Sequence, residues 1–242
     1  MNIVISQPMY FPWVGMFEQV RLSNVFVFYD DVQFSKGSFT NRVQVKTGTG
    51  EGFKWLTIPL EGLKLGALIN EIEICNKKNW KNEHLDLLKS CYQKAPFYAD
   101  MMEIVGELFD YATNNLSLFT IKSMELVLKY YELDKHVLIS KSSDLNIPGK
   151  SYQRVLDIVK HFGGDTYITG HGAKNYLDAA LFEENNVQVE FMDYQRIPYS
   201  QLFGAFNPHV SILDLVANEG RSGINRIISS TINHKFFLQK QV

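Results

Sequence analysis

Three short stretches of the 242-residue chain hold side chains suited to chemistry, each beside a β-branched or aromatic run. In the first, His171 stands between Gly170 and Gly172, directly after Thr166–Thr169. Imidazole titrates near neutrality, so His171 suits a general base. The flanking glycines let the backbone approach a ligand, and a helix starting at Ala173 would turn free N–H groups toward an anion. The second stretch is Tyr29-Asp30-Asp31-Val32-Gln33-Phe34, leading on to Asn41-Arg42. Adjacent carboxylates ending a strand can act as a general base, as metal ligands, or as clamps for an amine or a ribose. Strand alternation sets Asp31 and Gln33 on one side and Asp30 on the other. The third stretch, Gln7 to Met16, has two prolines and the aromatics Tyr10, Phe11 and Trp13, a stiff loop on which a nucleotide base could stack.

Other chemistries are excluded. The Gly170-x-Gly172-x-x-Asn175 run lacks the third glycine of a dinucleotide fingerprint and comes late in the chain. The early loop lacks the paired histidines that nucleotidyl transfer needs to stabilise charge at phosphorus. There is no P-loop, no H-E-x-x-H and no Cys/His cluster, so no metal and no resident cofactor is expected. Ser140-Lys141-Ser142-Ser143 is a short polar run of a kind common by chance. Lys plus Arg number 24 against 26 Asp plus Glu, which argues against a nucleic-acid partner. Cys75 and Cys91 sit among apolar residues and read as small core hydrophobes, not nucleophiles. The start has no basic n-region and no apolar run reaches membrane length, so a cytoplasmic protein without membrane insertion is expected. Twelve tyrosines exceed what a core needs, and some should line a wet pocket.

The elements that must position these residues follow from periodicity. Strands are predicted at Asn2–Ser6, Val25–Tyr29, Gln44–Lys46, Phe53–Leu60, Ile69–Cys75, Val137–Ile139, Thr166–Thr169 and Val187–Phe191. Helical spacing joins Trp13, Phe17 and Val20, covers Tyr152–Phe162 and Ala173–Glu184, and dominates the middle of the chain. Strand–helix alternation implies an α/β fold: a mostly parallel, Rossmann-like sheet flanked by helices. The chain reads as one domain over 1–242 with a helical insertion at about 80–132. From Arg221 the sequence carries four Lys/Arg and no Asp/Glu, with Ile224, Ile227, Ile228 and Ile232 at helical spacing; this predicts a terminal amphipathic helix whose basic face suits an acidic partner.

QPMYFPWVGMFEQV, FVFYDDVQFSKGSFTNR, WLTIPL, YQKAPFY, YITGHGAKNYLD and FNPHVSILDLVANEG, in that order, resemble the WbqC-like protein family over nearly the whole chain. The resemblance implies a role in O-antigen or other surface-polysaccharide (lipopolysaccharide) biosynthesis. It implies an aminoacyltransferase that moves an amino acid such as glycine onto the amine of a deoxyaminosugar. The acceptor would be a thymidine- or uridine-diphosphate sugar, and the donor co-substrate an aminoacyl thioester on an acidic carrier protein. Positions carried over are Gln7, Tyr10, Asp30, Asp31, Gln33, Asn41 and Arg42, then Trp55, Tyr92, Lys94, Gly170 and Tyr176, and finally Tyr199, Gln201, Phe206, Ser211, Asp214 and Asn218. His171 is assigned from the residues alone, with Asp31 as its competitor for the base and backbone N–H groups after Gly170 as holders of an oxyanion or a phosphate. A non-catalytic sugar-nucleotide-binding or scaffold protein is the alternative. The oligomeric state stays open.

Overall fold

A computed structural model describes residues 1–239. Its centre is a six-stranded sheet of β1 (Asn2–Ser6), β2 (Val25–Phe28), β7 (Leu138–Lys141), β8 (Thr166–Thr169), β9 (Gln188–Tyr194) and β10 (Ser229–Asn233), in the order β10-β9-β8-β1-β2-β7. All neighbours pair parallel except β9 and β10. The Rossmann-like α/β reading therefore holds. Alternation sends Ile3, Ile5, Val25 and Val27 to one face and Val4, Phe26 and Phe28 to the other, and both sets are buried in separate apolar clusters. Helices on both faces explain why these strands read as continuous apolar runs.

One face is covered by α6 (Ser151–His161), α7 (Ala179–Glu184) and α9 (His234–Gln239). The other is covered by α1 (Val14–Leu22), α8 (Ile212–Glu219) and the long connection from β2 to β7. That connection carries two small hairpins, β3 (Arg42–Lys46) with β4 (Phe53–Thr57) and β5 (Leu60–Glu61) with β6 (Glu73–Ile74). The helices α2 (Trp80–Tyr92), α3 (Tyr98–Asp110) and α4 (Leu116–Tyr130) follow, and a short α5 (Ser142–Leu145) succeeds β7.

Three predicted elements differ. Ile69–Cys75 is a 3₁₀ turn, Ile69–Glu71, followed by only two strand residues, Glu73–Ile74. The helix predicted over Ala173–Glu184 is split: His171–Asn175 is a 3₁₀ turn, and α7 begins only where the Asp178 side chain caps the Leu181 N–H. The terminal helix is a 3₁₀ turn (Gly220–Arg226), the edge strand β10, and α9. The β-branched run there pairs with the free edge of β9 instead of coiling, because an unpaired edge offers a full ladder of hydrogen bonds. The predicted basic face is also spent inside the chain: Arg226 pairs with Glu219, Lys235 with Glu183, and Arg221 donates to the Tyr130 carbonyl. The fourth cation, Lys240, lies outside the described residues.

The aromatic core encloses one histidine. His84 of α2 is buried between Trp80 and Tyr10, its Nδ1 3.1 Å from the Tyr10 hydroxyl. Burial drives its pKa down to about 4. The folded chain thus keeps His84 neutral at pH values where the unfolded chain protonates it. Its contribution is fully present above the unfolded value and is lost as pH falls toward 4. Measured by urea denaturation against His84→Phe, the wild type's relative stability should rise by about 3 kcal/mol between pH 4 and 6.5 and then stay flat.

Candidate functional site

After β1 the chain builds β2 and β7 on one side of that strand, then returns to place β8 and β9 on the other. Loops leaving the C-terminal ends of β1 and β8 therefore diverge, and a crevice opens between them, the place where open parallel sheets bind ligands. A cleft of about 710 Å³ occupies this position, floored by Ser6 at the end of β1 with Gln7 after it, and by Thr169 at the end of β8 with Gly170 and His171 after it. The volume suits a ligand of nucleotide or sugar-nucleotide size.

Rings form one wall in sequence: His171 lies 5.3 Å from Tyr194, Tyr194 4.8 Å from Trp13, and Trp13 5.7 Å from His209, centroid to centroid. Gln19 fixes the middle of this wall, donating to the Tyr194 hydroxyl at 2.8 Å while accepting from the Ser6 hydroxyl at 3.0 Å. Gly170 is placed against the same hydroxyl: a Cβ there would come within 3.2 Å of it. His171 is exposed at its turn, with Phe237 behind it at 4.8 Å. Its Nε2 lies 2.6 Å from the Met192 carbonyl. A carbonyl only accepts, so Nε2 carries a hydrogen, and Nδ1 is the position of the lone pair in the neutral tautomer. Nδ1 accepts no hydrogen bond among the described residues.

The electrostatics are one-sided. Among the described residues no Asp or Glu lines the cleft, whereas Arg196, His171 and His209 do. Glu18 is the nearby exception, buried on α1 behind Trp13 and Arg196 in a chamber with room for about one water. Burial pushes its pKa up to about 7, against the Ser229 hydroxyl and the Arg196 charge, which pull it down. His209 is shifted downward by burial and by Arg196.

Of the sequence-predicted residues, the structure brings together Gln7, Trp13, Gly170, His171, Gly172 and Tyr176 around the cleft. The others lie elsewhere. Tyr10 is wholly buried against His84 and does not stack a ligand. Asp30 and Asp31 follow the end of β2, so strand alternation does not separate them, and the Ser142 hydroxyl bonds both. Asp30 also takes the backbone N–H and hydroxyl of Ser143 and is buried at the start of α5. Asp31 is gripped by both terminal nitrogens of Arg154, at 2.9 and 2.5 Å. Its pKa is lowered: burial, the largest single influence, raises it, but the bonds from Arg154 and Ser142 outweigh that. A carboxylate so held is a weak base, and neither acid reaches the cleft lining. The Ser140–Ser143 run thus serves the two acids. Gln33 is exposed and bridges to Leu68. Asn41 donates to the Ile58 carbonyl, and Arg42 lies over Trp55 at 4.3 Å beside the β3–β4 hairpin.

Tyr199 and Gln201 belong to a different, buried assembly. The Asp214 carboxylate, without solvent contact, accepts from Tyr92 at 3.0 Å and Tyr199 at 2.9 Å. Gln201 donates to the Tyr199 hydroxyl and accepts from Lys46 Nζ at 2.9 Å. Burial raises the Asp214 pKa against these bonds. The network fixes the 195–211 segment, which carries Arg196 and His209. Sequence reasoning missed both residues, as well as Tyr194. Their one legible signal is position, since Tyr194 ends a strand that pairs parallel with β8, and Arg196 and His209 follow it.

Among the described residues no group of three or more His, Cys, Asp or Glu side chains converges as a metal site, and no helix is long and apolar enough to cross a membrane. The sequence profile of the WbqC-like protein family matches residues 7–226. The chain is similar to a Mycobacterium tuberculosis protein named Uncharacterized protein Rv1507c, with 28% identity over 223 residues, covering 90% of this chain and 94% of that protein. No solved structure matches it.

Removing the Asp214 carboxylate orphans two buried tyrosine hydroxyls. Asp214→Ala should cost about 3–5 kcal/mol of stability by denaturant titration, since it leaves two buried hydroxyls without an acceptor, and Tyr199→Phe about 1–2 kcal/mol, since it takes one donor from the Asp214 carboxylate and one acceptor from the Gln201 amide. A D214A protein as stable as wild type would mean the network is not what fixes this segment.

Proposed function

The chain belongs to the WbqC-like protein family, and we propose that it is an aminoacyltransferase whose cleft takes a nucleotide-linked aminosugar as acceptor and an aminoacyl thioester as donor. The observation that carries this reading is the state of His171 in a cleft free of carboxylates: Nε2–H is committed to Met192 and Nδ1 is open. An amine nucleophile needs a base that takes its proton as the C–N bond forms. His171 Nδ1 has a lone pair for that proton, and the Met192 carbonyl then stabilises the imidazolium through Nε2–H, the part an orienting group plays behind a base.

The step balances without a cofactor. The sugar amine attacks the thioester carbonyl carbon, its proton passes to Nδ1, and the oxyanion collapses with loss of thiolate, which takes the proton from the imidazolium. The Gln7 side-chain amide has no hydrogen-bond partner among the described residues and lines the cleft beside β1, where it can donate to the oxyanion. Trp13 and Tyr176 offer apolar faces to a base or a sugar. Surface-polysaccharide biosynthesis is the setting this chemistry fits.

His171→Asn should fold normally and bind acceptor, yet lose about 10²–10⁴-fold in kcat, the range for a general base. Loss of acceptor affinity at unchanged saturating rate would make His171 a binding residue. Acceptor binding with no turnover in either protein would favour the sugar-nucleotide-binding or scaffold reading. Cys91 is buried, which pushes its thiol pKa up, and Cys75 is partly covered. The Cys75→Ser/Cys91→Ser double variant should therefore keep its transfer rate per folded molecule, and a donor-derived thioester on either cysteine would replace direct transfer with a covalent route.

A further inference from the structure

We infer that Arg196, with His209 beside it, is an anion subsite for the diphosphate of the acceptor, at the opposite end of the ring wall from His171. The inference rests on the sugar-nucleotide reading for the identity of the ligand, but not for the existence of the subsite.

Arg196 lines the cleft two residues beyond the end of β9 and is exposed there. It makes no hydrogen bond and no ion pair among the described residues, although Asp31, Glu219 and Glu183 each hold a cation elsewhere in the molecule. Glu18 lies close enough to feel its charge, but that carboxylate receives its hydrogen bond from Ser229, so the guanidinium donors stay unfilled. The backbone at Arg196 has φ +49°, a conformation that favours glycine and is strained for a residue bearing a side chain. A strained, unpaired arginine facing a cleft without carboxylates is matched to an anion, and a guanidinium fork fits phosphate oxygens in pairs.

His209 contributes a ring N–H from the neighbouring turn, whose shape is set by the bond from its backbone N–H to the Asn207 side chain at 2.9 Å. Trp13 and Tyr194 lie between His209 and His171 along the wall. A pyranose laid on these rings, with diphosphate at one end and amine at the other, meets Arg196 and His171 together. The early expectation of phosphate at a helix N-terminus after Gly170 has no such support, because the residues there form only a 3₁₀ turn.

The test titrates the full chain calorimetrically with inorganic pyrophosphate, with UDP and TDP, and with uridine. Wild type should bind pyrophosphate and both diphosphates with salt-sensitive affinity. Arg196→Gln should weaken all three by about tenfold or more, the loss expected for charge-assisted bonds, and leave uridine unchanged. Arg196→Gly should lose the anions equally while being no less stable than wild type, because glycine relieves the positive φ. His209→Gln should give a smaller loss of the same kind. Pyrophosphate binding that is absent in wild type, or unchanged in both Arg196 variants, overturns the subsite. Pyrophosphate that binds through Arg196 but is not displaced by any nucleotide-linked aminosugar leaves the subsite standing and removes the acceptor reading.

Discussion

The Asp214 carboxylate has no solvent contact, and most of what is specific in this fold follows from meeting its charge. A buried carboxylate must be supplied with donors or become protonated. The donors come from far apart in the chain: Tyr92 at the end of α2, and Tyr199 in the segment after β9. Tyr92 in turn accepts the backbone N–H of Lys46 in β3, and Lys46 reaches back to Gln201. One acid thereby ties the helical insertion, the first hairpin and the post-β9 segment to α8. The next turn of the same junction is Ser211, which caps α8, donates its hydroxyl to the Phe11 carbonyl and donates its backbone N–H to the Gln44 carbonyl. The cleft residues Trp13, Arg196 and His209 hang on these anchors, so the site inherits its geometry from polar groups that no ligand touches.

That division explains which residues the sequence could show. Strands β1, β2 and β8 are legible because their partners are neighbours in a parallel sheet, and both-face burial writes itself as continuous apolar runs. The crevice between β1 and β8 follows from that topology, and with it Gln7 and His171. Asp30 and Asp31 were misplaced because their partners, Ser142 and Arg154, lie 111 and 123 residues downstream, and nothing local distinguishes a paired carboxylate from a free one. The β10 strand was hidden for a related reason. Ile224, Ile227, Ile228 and Ile232 satisfy helical spacing, and only the open edge of β9, a long-range feature, decides between coil and ladder.

Tyr10 makes the same point about aromatic loops. Its sequence setting, between prolines and before Trp13, reads as a stacking platform, yet the hydroxyl finds His84 in α2 and the ring enters the core. Trp13, three residues later, stays at the cleft because Ser211 pairs with its backbone and holds it at the junction between loop and helix. A stiff aromatic loop is thus half core and half wall. The prolines fix the turn, and the neighbours choose which ring lines the cleft.

Sorting the acids away from the cleft has an electrostatic consequence beyond any single residue. With Asp30 and Asp31 closed into α5 and α6, and Asp214 sealed beneath the post-β9 segment, the lining retains the two histidines and Arg196 as its charged or chargeable groups apart from tyrosines. In a partly desolvated crevice a lone cationic group acts over several ångströms with little screening. Such a site repels an ammonium and tolerates a neutral amine, which is the nucleophilic form, while it draws in an anion. The same field that draws an anion into the crevice disfavours a second positive charge anywhere along its lining.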